Sequence, residues 1–295
     1  MNTFNFIDIN TTYVIITIDY NRYEAYIMKS AINKTTNNNN AQKPKNIFDY
    51  IIACCMVVLL ISTTLIANDI IPRVQAKKEY EDLQVFSPVT SLQANSDEKD
   101  KAPTFDDLKE INPEYLGWIN IKDTEIDFPV VQTTDNDYYL NVSFRDNYND
   151  AGAIFVDYEN SADFSDQNTV IYGHMRLDGT MFAPLKHYTD QEHYEKHPFI
   201  TMTFDEHTYY YQIFSVKAFE ATDDYRSPDY GDNFPNFIDG LRSYSYINSS
   251  ADVGISDKIL TLSTCTDIIK DGRLAIFAVL LNPDGSEINL DNYPI

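Results

Sequence analysis

The chain has 295 residues, which suits one catalytic domain with an anchoring segment or two small domains. Hydrophobic residues make up 43% of it, enough for a real core, and 22 Tyr with 17 Phe favour sheet over helix. The net charge of −23 serves solubility and argues against nucleic acid as a partner, because such a surface repels phosphate backbones. With Cys54 and Cys55 adjacent in an apolar run and Cys265 alone, neither a disulfide framework nor a zinc site with paired cysteines is available to a soluble domain.

In chain order, residues 1–46 form an N-terminal segment expected to be disordered, with an Asn-rich stretch over 31–46. Residues 1–27 resemble neither a signal peptide nor part of a domain. Met28 is followed by Lys29 and a polar stretch, so translation is expected to begin there. A transmembrane anchor is predicted over 47–71, because residues 50–68 carry no charge and are long enough to cross a bilayer as a helix. Lys29, Lys34, Lys43 and Lys45 precede the run and Arg73, Lys77 and Lys78 follow it, so the positive-inside bias is weak and leaves orientation open. Residues 72–104 read as a juxtamembrane helix and a linker rich in Ser, Asp, Lys and Pro. The catalytic domain is expected over 105–295, opening on a helix with Phe105, Leu108 and Ile111 on one face.

Short strands follow at 118–121, 126–131, 153–156, 169–172, 199–204, 208–216, 258–264 and 274–281. Two helices are predicted to interrupt them, over 180–187 and 233–247. Eight strands without internal repeats point to a mainly β fold, a closed or nearly closed barrel.

Three polar residues mark strand ends. His174 follows Val170-Ile171-Tyr172 and a Gly, Cys265 ends Ile259-Leu260-Thr261-Leu262-Ser263-Thr264, and Arg273 opens the last strand. A cysteine attacks as thiolate and a nearby cation favours that form. A histidine can protonate a leaving amine, and an arginine can hold a developing oxyanion. The three suffice for acyl transfer through a thioester. His187, His193, His197 and His207 sit in polar surroundings and are expected to be solvated.

The local strings are more specific. Thr261-Leu262-Ser263-Thr264-Cys265 resembles the sortase signature Thr-Leu-x-Thr-Cys, and Arg273-Leu274-Ala275-Ile276-Phe277-Ala278-Val279 resembles that family's last strand with its Arg. Asn168-Thr169-Val170-Ile171-Tyr172-Gly173-His174 resembles its histidine strand. Asp178-Gly179-Thr180-Met181-Phe182, Phe128-Pro129-Val130-Val131-Gln132 and Asn136-Asp137-Tyr138-Tyr139-Leu140-Asn141 resemble the class B branch. The resemblance implies an eight-stranded sortase barrel with short helices behind an N-terminal transmembrane helix. It implies His174, Cys265 and Arg273 as the catalytic set, no metal or organic cofactor, and an extra helix within 232–249. Asn136, Leu140, Ser263, Thr264 and Tyr225 then fall where class B enzymes bind the sorting peptide. Arg226 and Thr266 depart from the family pattern, so the exact motif stays open. The implied partners are exported proteins bearing an Asn-Pro-x-Thr-like C-terminal signal and a cell-wall amine, met by an extracellular domain on a single-pass anchor. Two rivals carry the same residues: a membrane-tethered cysteine peptidase, in which water resolves the thioester, and a non-catalytic surface-binding module.

Overall fold

A computed structural model describes residues 47–88, 104–204 and 207–293. The expected disorder over 1–46, the start at Met28 and most of the linker up to 104 lie outside the described residues. The chain divides into two compact units, residues 1–63 and 64–295.

Of the first unit, residues 47–63 are described, and all belong to helix α1 (Ile47–Leu83). Its apolar side chains, Ile51, Val58 and Leu60 among them, are exposed. Among the described residues α1 is the one helix long and apolar enough to cross a bilayer. At 1.5 Å per residue, the uncharged run 50–68 spans about 28 Å, close to the thickness of a hydrocarbon core.

The second unit is built on eight strands: β1 (Tyr115–Asn120), β2 (Asp127–Val131), β3 (Ile154–Val156), β4 (Asn168–Tyr172), β5 (Phe199–Phe204), β6 (His207–Phe219), β7 (Ile259–Thr266) and β8 (Gly272–Leu280). They close into a barrel in the order β1-β2-β3-β4-β7-β8-β6-β5, as the strand count predicts. The β2–β3 and β4–β7 pairs are parallel and the others antiparallel. Because β4 and β7 are parallel neighbours, the chain between them must leave the sheet and return. That excursion carries β5, β6 and helix α4 (Phe234–Ser243).

Strand alternation sorts β7 and β8 onto two faces. Leu260, Leu262, Leu274, Ile276 and Ala278 join the core inside the barrel. Ile259, Ala275, Phe277 and Val279 face outward and are covered by Phe234, Ile238 and Leu241 of α4. Each of the larger side chains among them contributes roughly 1.5–3 kcal/mol through burial. The excursion between β4 and β7 thus builds a second core on the outside of the barrel wall.

The packed core starts upstream of Phe105. Ala76, Tyr80 and Leu83, from the last turns of α1, are buried in the barrel's own cluster. Tyr80 Oη donates to the Gly152 carbonyl at 2.5 Å, and its ring meets Phe128 edge-on. Helix α2 (Phe105–Ile111) follows, started by a capping box between Thr104 and Asp107. The helix predicted over 180–187 begins later, as a 3₁₀ segment over Ala183–Thr189. Met181 takes a left-handed φ of 58°, which no right-handed helix can pass through. Helix α3 (Gln191–Lys196), absent from the sequence expectation, is only six residues long. Helix α4 is shorter than the 233–247 predicted, with the amides of Tyr244 and Ser245 both donating to the Arg242 carbonyl as the chain turns.

Candidate active site

The register of three adjacent strands builds the site. Strands β4 and β7 run parallel with Tyr172 beside Ser263, and the Gly173 amide extends the ladder by donating to the Ser263 carbonyl at 3.2 Å. Two residues beyond that pair, His174 and Cys265 leave the same ends of neighbouring strands. On the other side, Cys265 lies directly opposite Arg273 in the antiparallel β7–β8 ladder. Strands are spaced about 4.8 Å apart, so His174, Cys265 and Arg273 span some 10 Å of sheet edge with the cysteine in the middle. All three fall on the outward parity, as Ser263 and Ala275 do.

Two glycines are needed for this edge. A Cβ on Gly173 would come within 2.5 Å of Ile154 Cδ1 and 2.7 Å of the Phe182 ring, so only glycine lets the chain reach His174 along the barrel wall. A Cβ on Gly272 would meet Ile269 Cβ at 2.8 Å and the Phe219 carbonyl at 3.0 Å. That closeness sets the tight return from Cys265 to Arg273.

Cys265 is exposed, and His174 and Arg273 are half-buried. The His174 ring donates from Nε2 to the Leu140 carbonyl at 2.7 Å. A carbonyl only accepts, so Nε2 carries the proton in this arrangement and Nδ1 is the free basic position. Arg273 Nη1 donates to the carbonyls of Asp271 and Gly272 at 3.3 and 3.0 Å. Among the described residues no carboxylate pairs with it, which leaves its remaining donors for a ligand.

The residues expected to bind the sorting peptide separate into two groups. Asn136 and Leu140 are half-buried in the segment between β2 and β3. The Asn136 side-chain oxygen accepts from the Tyr158 amide at 3.1 Å, and the Leu140 main chain holds His174. Tyr225, Ser263 and Thr264, in contrast, are 0%, 1% and 3% exposed and do not line an open groove. Thr264 has the inward parity of β7, and its hydroxyl has no hydrogen-bond partner. Ser263 faces outward but is roofed by Tyr225, whose hydroxyl lies 2.8 Å from Ser263 Oγ. The Tyr225 ring stacks on Phe219 at 4.3 Å. Burial is the main force pushing the Tyr225 phenol above its ordinary range, while the charges of Arg226 and Arg273 pull the other way. Tyr225 therefore packs on the outer face of β7, the face that carries Cys265, as a buried side chain of the second core.

Asn168 was not legible as a site residue, although a polar side chain opening an apolar strand is the signal it offered. It is wholly buried and donates from Nδ2 to the carbonyls of Tyr225 and Ser227 at 3.3 and 3.1 Å. Its Oδ1 accepts from the Thr261 hydroxyl at 2.6 Å. Beside it, Gln167 Oε1 accepts from the Tyr230 amide at 2.9 Å. These bonds fasten the 225–230 loop across β4 and β7. Away from the site, His193 departs from the expected solvated state. It packs edge-on against Tyr188, its Nε2 is buried without a hydrogen bond, and burial followed by the nearby His197 and His187 lowers its pKa.

A closed barrel that sets a thiol between an imidazole and a guanidinium on three adjacent strands is the framework of a cysteine acyl-transfer enzyme. The family model of the sortase domain matches residues 119–281, and the chain belongs to the sortase family. It is 39% identical over 178 residues to sortase B of Listeria monocytogenes, spanning 58% of this chain and 71% of that protein. The Staphylococcus aureus sortase B–substrate complex superposes with a TM-score of 0.63 at 31% identity, covering 72% of this chain and 98% of that one. A sortase B complexed with triglycine gives 0.62 at 33% identity, over 71% and 98%. Within the family it is a class B sortase, a cysteine transpeptidase of the kind that anchors proteins to the cell wall.

Proposed function

We propose that Cys265 is the nucleophile of this transpeptidase, His174 its proton carrier and Arg273 its oxyanion ligand. The observation that carries the reading is the register that sets Cys265 opposite Arg273 and level with His174. The Cys265 thiol passes its proton to His174 Nδ1, and the resulting thiolate attacks the Thr carbonyl of an Asn-Pro-x-Thr-like sorting signal. Arg273 donates to the carbonyl oxygen as charge develops there. As the C–N bond breaks, His174 gives its Nδ1 proton to the departing amine, while the Leu140 carbonyl keeps the ring oriented. An amine then attacks the thioester and releases Cys265. That sortase B has been solved in complex with substrate and in complex with triglycine supports both halves of this scheme. In this reading Asn136 and Leu140 meet the peptide, while Tyr225 and Ser263 brace the strand that carries Cys265. Helix α1 anchors the enzyme in the membrane, with the catalytic unit on the outer side, where sorting signals and cell-wall amines meet.

The test uses the full chain in detergent, an Asn-Pro-x-Thr peptide and triglycine. Wild type should yield the triglycine adduct and a mass-detectable thioester at low acceptor. Cys265→Ala should yield neither, and His174→Ala should be slower by about 10²-fold or more. Cleavage that persists in Cys265→Ala would overturn the assignment.

A further inference from the structure

The His174 loop has a second face. A pocket of about 250 Å³ is lined by Arg73, Asp150 and residues 174–178. In the barrel order β4 stands between β3 and β7. Cys265 and Arg273 lie on the β7–β8 side of His174, whereas Asp150 comes from the segment leading into β3. The pocket therefore reaches the catalytic imidazole from its β3 flank, the side from which the Leu140 carbonyl also holds the ring, and opposite to Cys265 and Arg273.

Its charges are unequally engaged. The Arg176 guanidinium pairs with the Asp178 carboxylate at 3.1 Å, and Asp178 also accepts from Thr180, so these two hold the loop's own shape. Asp150 is exposed, and among the described residues its carboxylate makes no hydrogen bond or ion pair. Leu177 is 95% exposed at the rim. The pocket thus combines the uncommitted Asp150 carboxylate, the His174 imidazole and the exposed Leu177, with Arg73, which has an interaction of its own, also in its lining. That combination suits a primary amine arriving in its ammonium form. The carboxylate attracts the cation, and the imidazole removes the proton that blocks the nitrogen lone pair.

From this arrangement we infer that the pocket is the entry site for the acceptor amine of the second half-reaction, with Asp150 as its ammonium-binding residue. The inference rests on the transpeptidase reading and deepens it. In the step, the ammonium gives one proton to His174, which passes it to solvent. The free amine then attacks the thioester carbonyl. A C–N bond forms, the C–S bond breaks, and the second nitrogen proton ends on the Cys265 sulfur. Arg73, on the helix just beyond the uncharged run, makes the far wall, so the pocket is complete only with that helix in place.

The experiment compares product ratios from one thioester. The full chain in detergent is given the sorting peptide with either triglycine, cationic at its amino end at neutral pH, or hydroxylamine, which is uncharged there. The readout is adduct relative to hydrolysis product. Asp150→Asn should lower the triglycine ratio about fivefold, the upper range for a solvent-exposed ion pair, and leave the hydroxylamine ratio as in wild type. Asp150→Glu should restore most of it, and added salt should shrink the difference between wild type and Asp150→Asn. An unchanged triglycine ratio in Asp150→Asn overturns the inference, and so does an equal fall for both acceptors, which marks a structural effect. If wild type itself gives no triglycine adduct, the transpeptidase reading fails first, and that outcome is seen before any variant is compared.

Discussion

Replacing Tyr225 with Phe tests whether this side chain supports the thiol or touches the peptide. The ring has no exposure, and its hydroxyl makes one side-chain hydrogen bond, to Ser263 Oγ at 2.8 Å. Ser263 is likewise buried, with that hydroxyl as its side-chain partner. Tyr225→Phe removes one partner and strands the other away from water, which costs about 1–3 kcal/mol. Ser263→Ala strands the tyrosine hydroxyl at a similar cost. The double variant removes both polar atoms and leaves nothing unsatisfied, so it should lie close to wild type. For a domain of this size 1 kcal/mol shifts the melting temperature by roughly 2–4 °C. Each single variant should therefore melt about 2–12 °C below wild type, and the double variant closer to wild type than either. Intrinsic-fluorescence melting of the detergent-solubilised chain reads this directly, and peptide kinetics on the same samples complete the cycle. Unaltered melting in Tyr225→Phe together with a raised KM for the sorting peptide would refute the reasoning and return Tyr225 to the groove.

Thr264→Val should raise the melting temperature by about 2–4 °C, because it replaces a buried hydroxyl that has no partner with a methyl of the same shape. Destabilisation would mean that the hydroxyl has a partner after all. Arg273→Lys keeps the charge but loses the planar fork of donors, so peptide cleavage should fall on the order of 10²-fold at unchanged melting temperature. Near wild-type turnover would reduce Arg273 to a diffuse charge. Protease added to intact protoplasts should digest the domain downstream of α1, and full protection would place it in the cytoplasm.

The strands were legible because their cores are short apolar or alternating runs, and eight of them were found where eight were expected. The catalytic trio was legible for a different reason. His174, Cys265 and Arg273 sit at strand ends inside local strings that carry their own signature. What escaped the sequence is whatever depends on one segment lying over another. Tyr225, Ser263 and Thr264 read as groove residues because they neighbour the nucleophile in the chain or in the family pattern. Strand parity and the fold of the 225–230 loop decide instead that they are buried. Parity was available from the sequence for Thr264, one residue out of phase with Cys265, but the roof over Ser263 was not.

The same distinction explains Asn168 and the last turns of α1. An asparagine opening an apolar strand has no local partner, and its meaning appears only when a loop more than fifty residues downstream brings its carbonyls to the side chain. The charged stretch after the apolar run reads as a juxtamembrane helix leading into a linker. Yet Ala76, Tyr80 and Leu83 are spaced at four and three residues, the period of a helix with one buried stripe. That stripe docks on the barrel and ties the helix to the β2–β3 region through Tyr80, Gly152 and Phe128. Arg73 lies two helical turns before Tyr80, so docking the stripe is what carries Arg73 to the pocket beside His174. The spacing that reads as a mere connection to the membrane therefore also positions one wall of the proposed acceptor site.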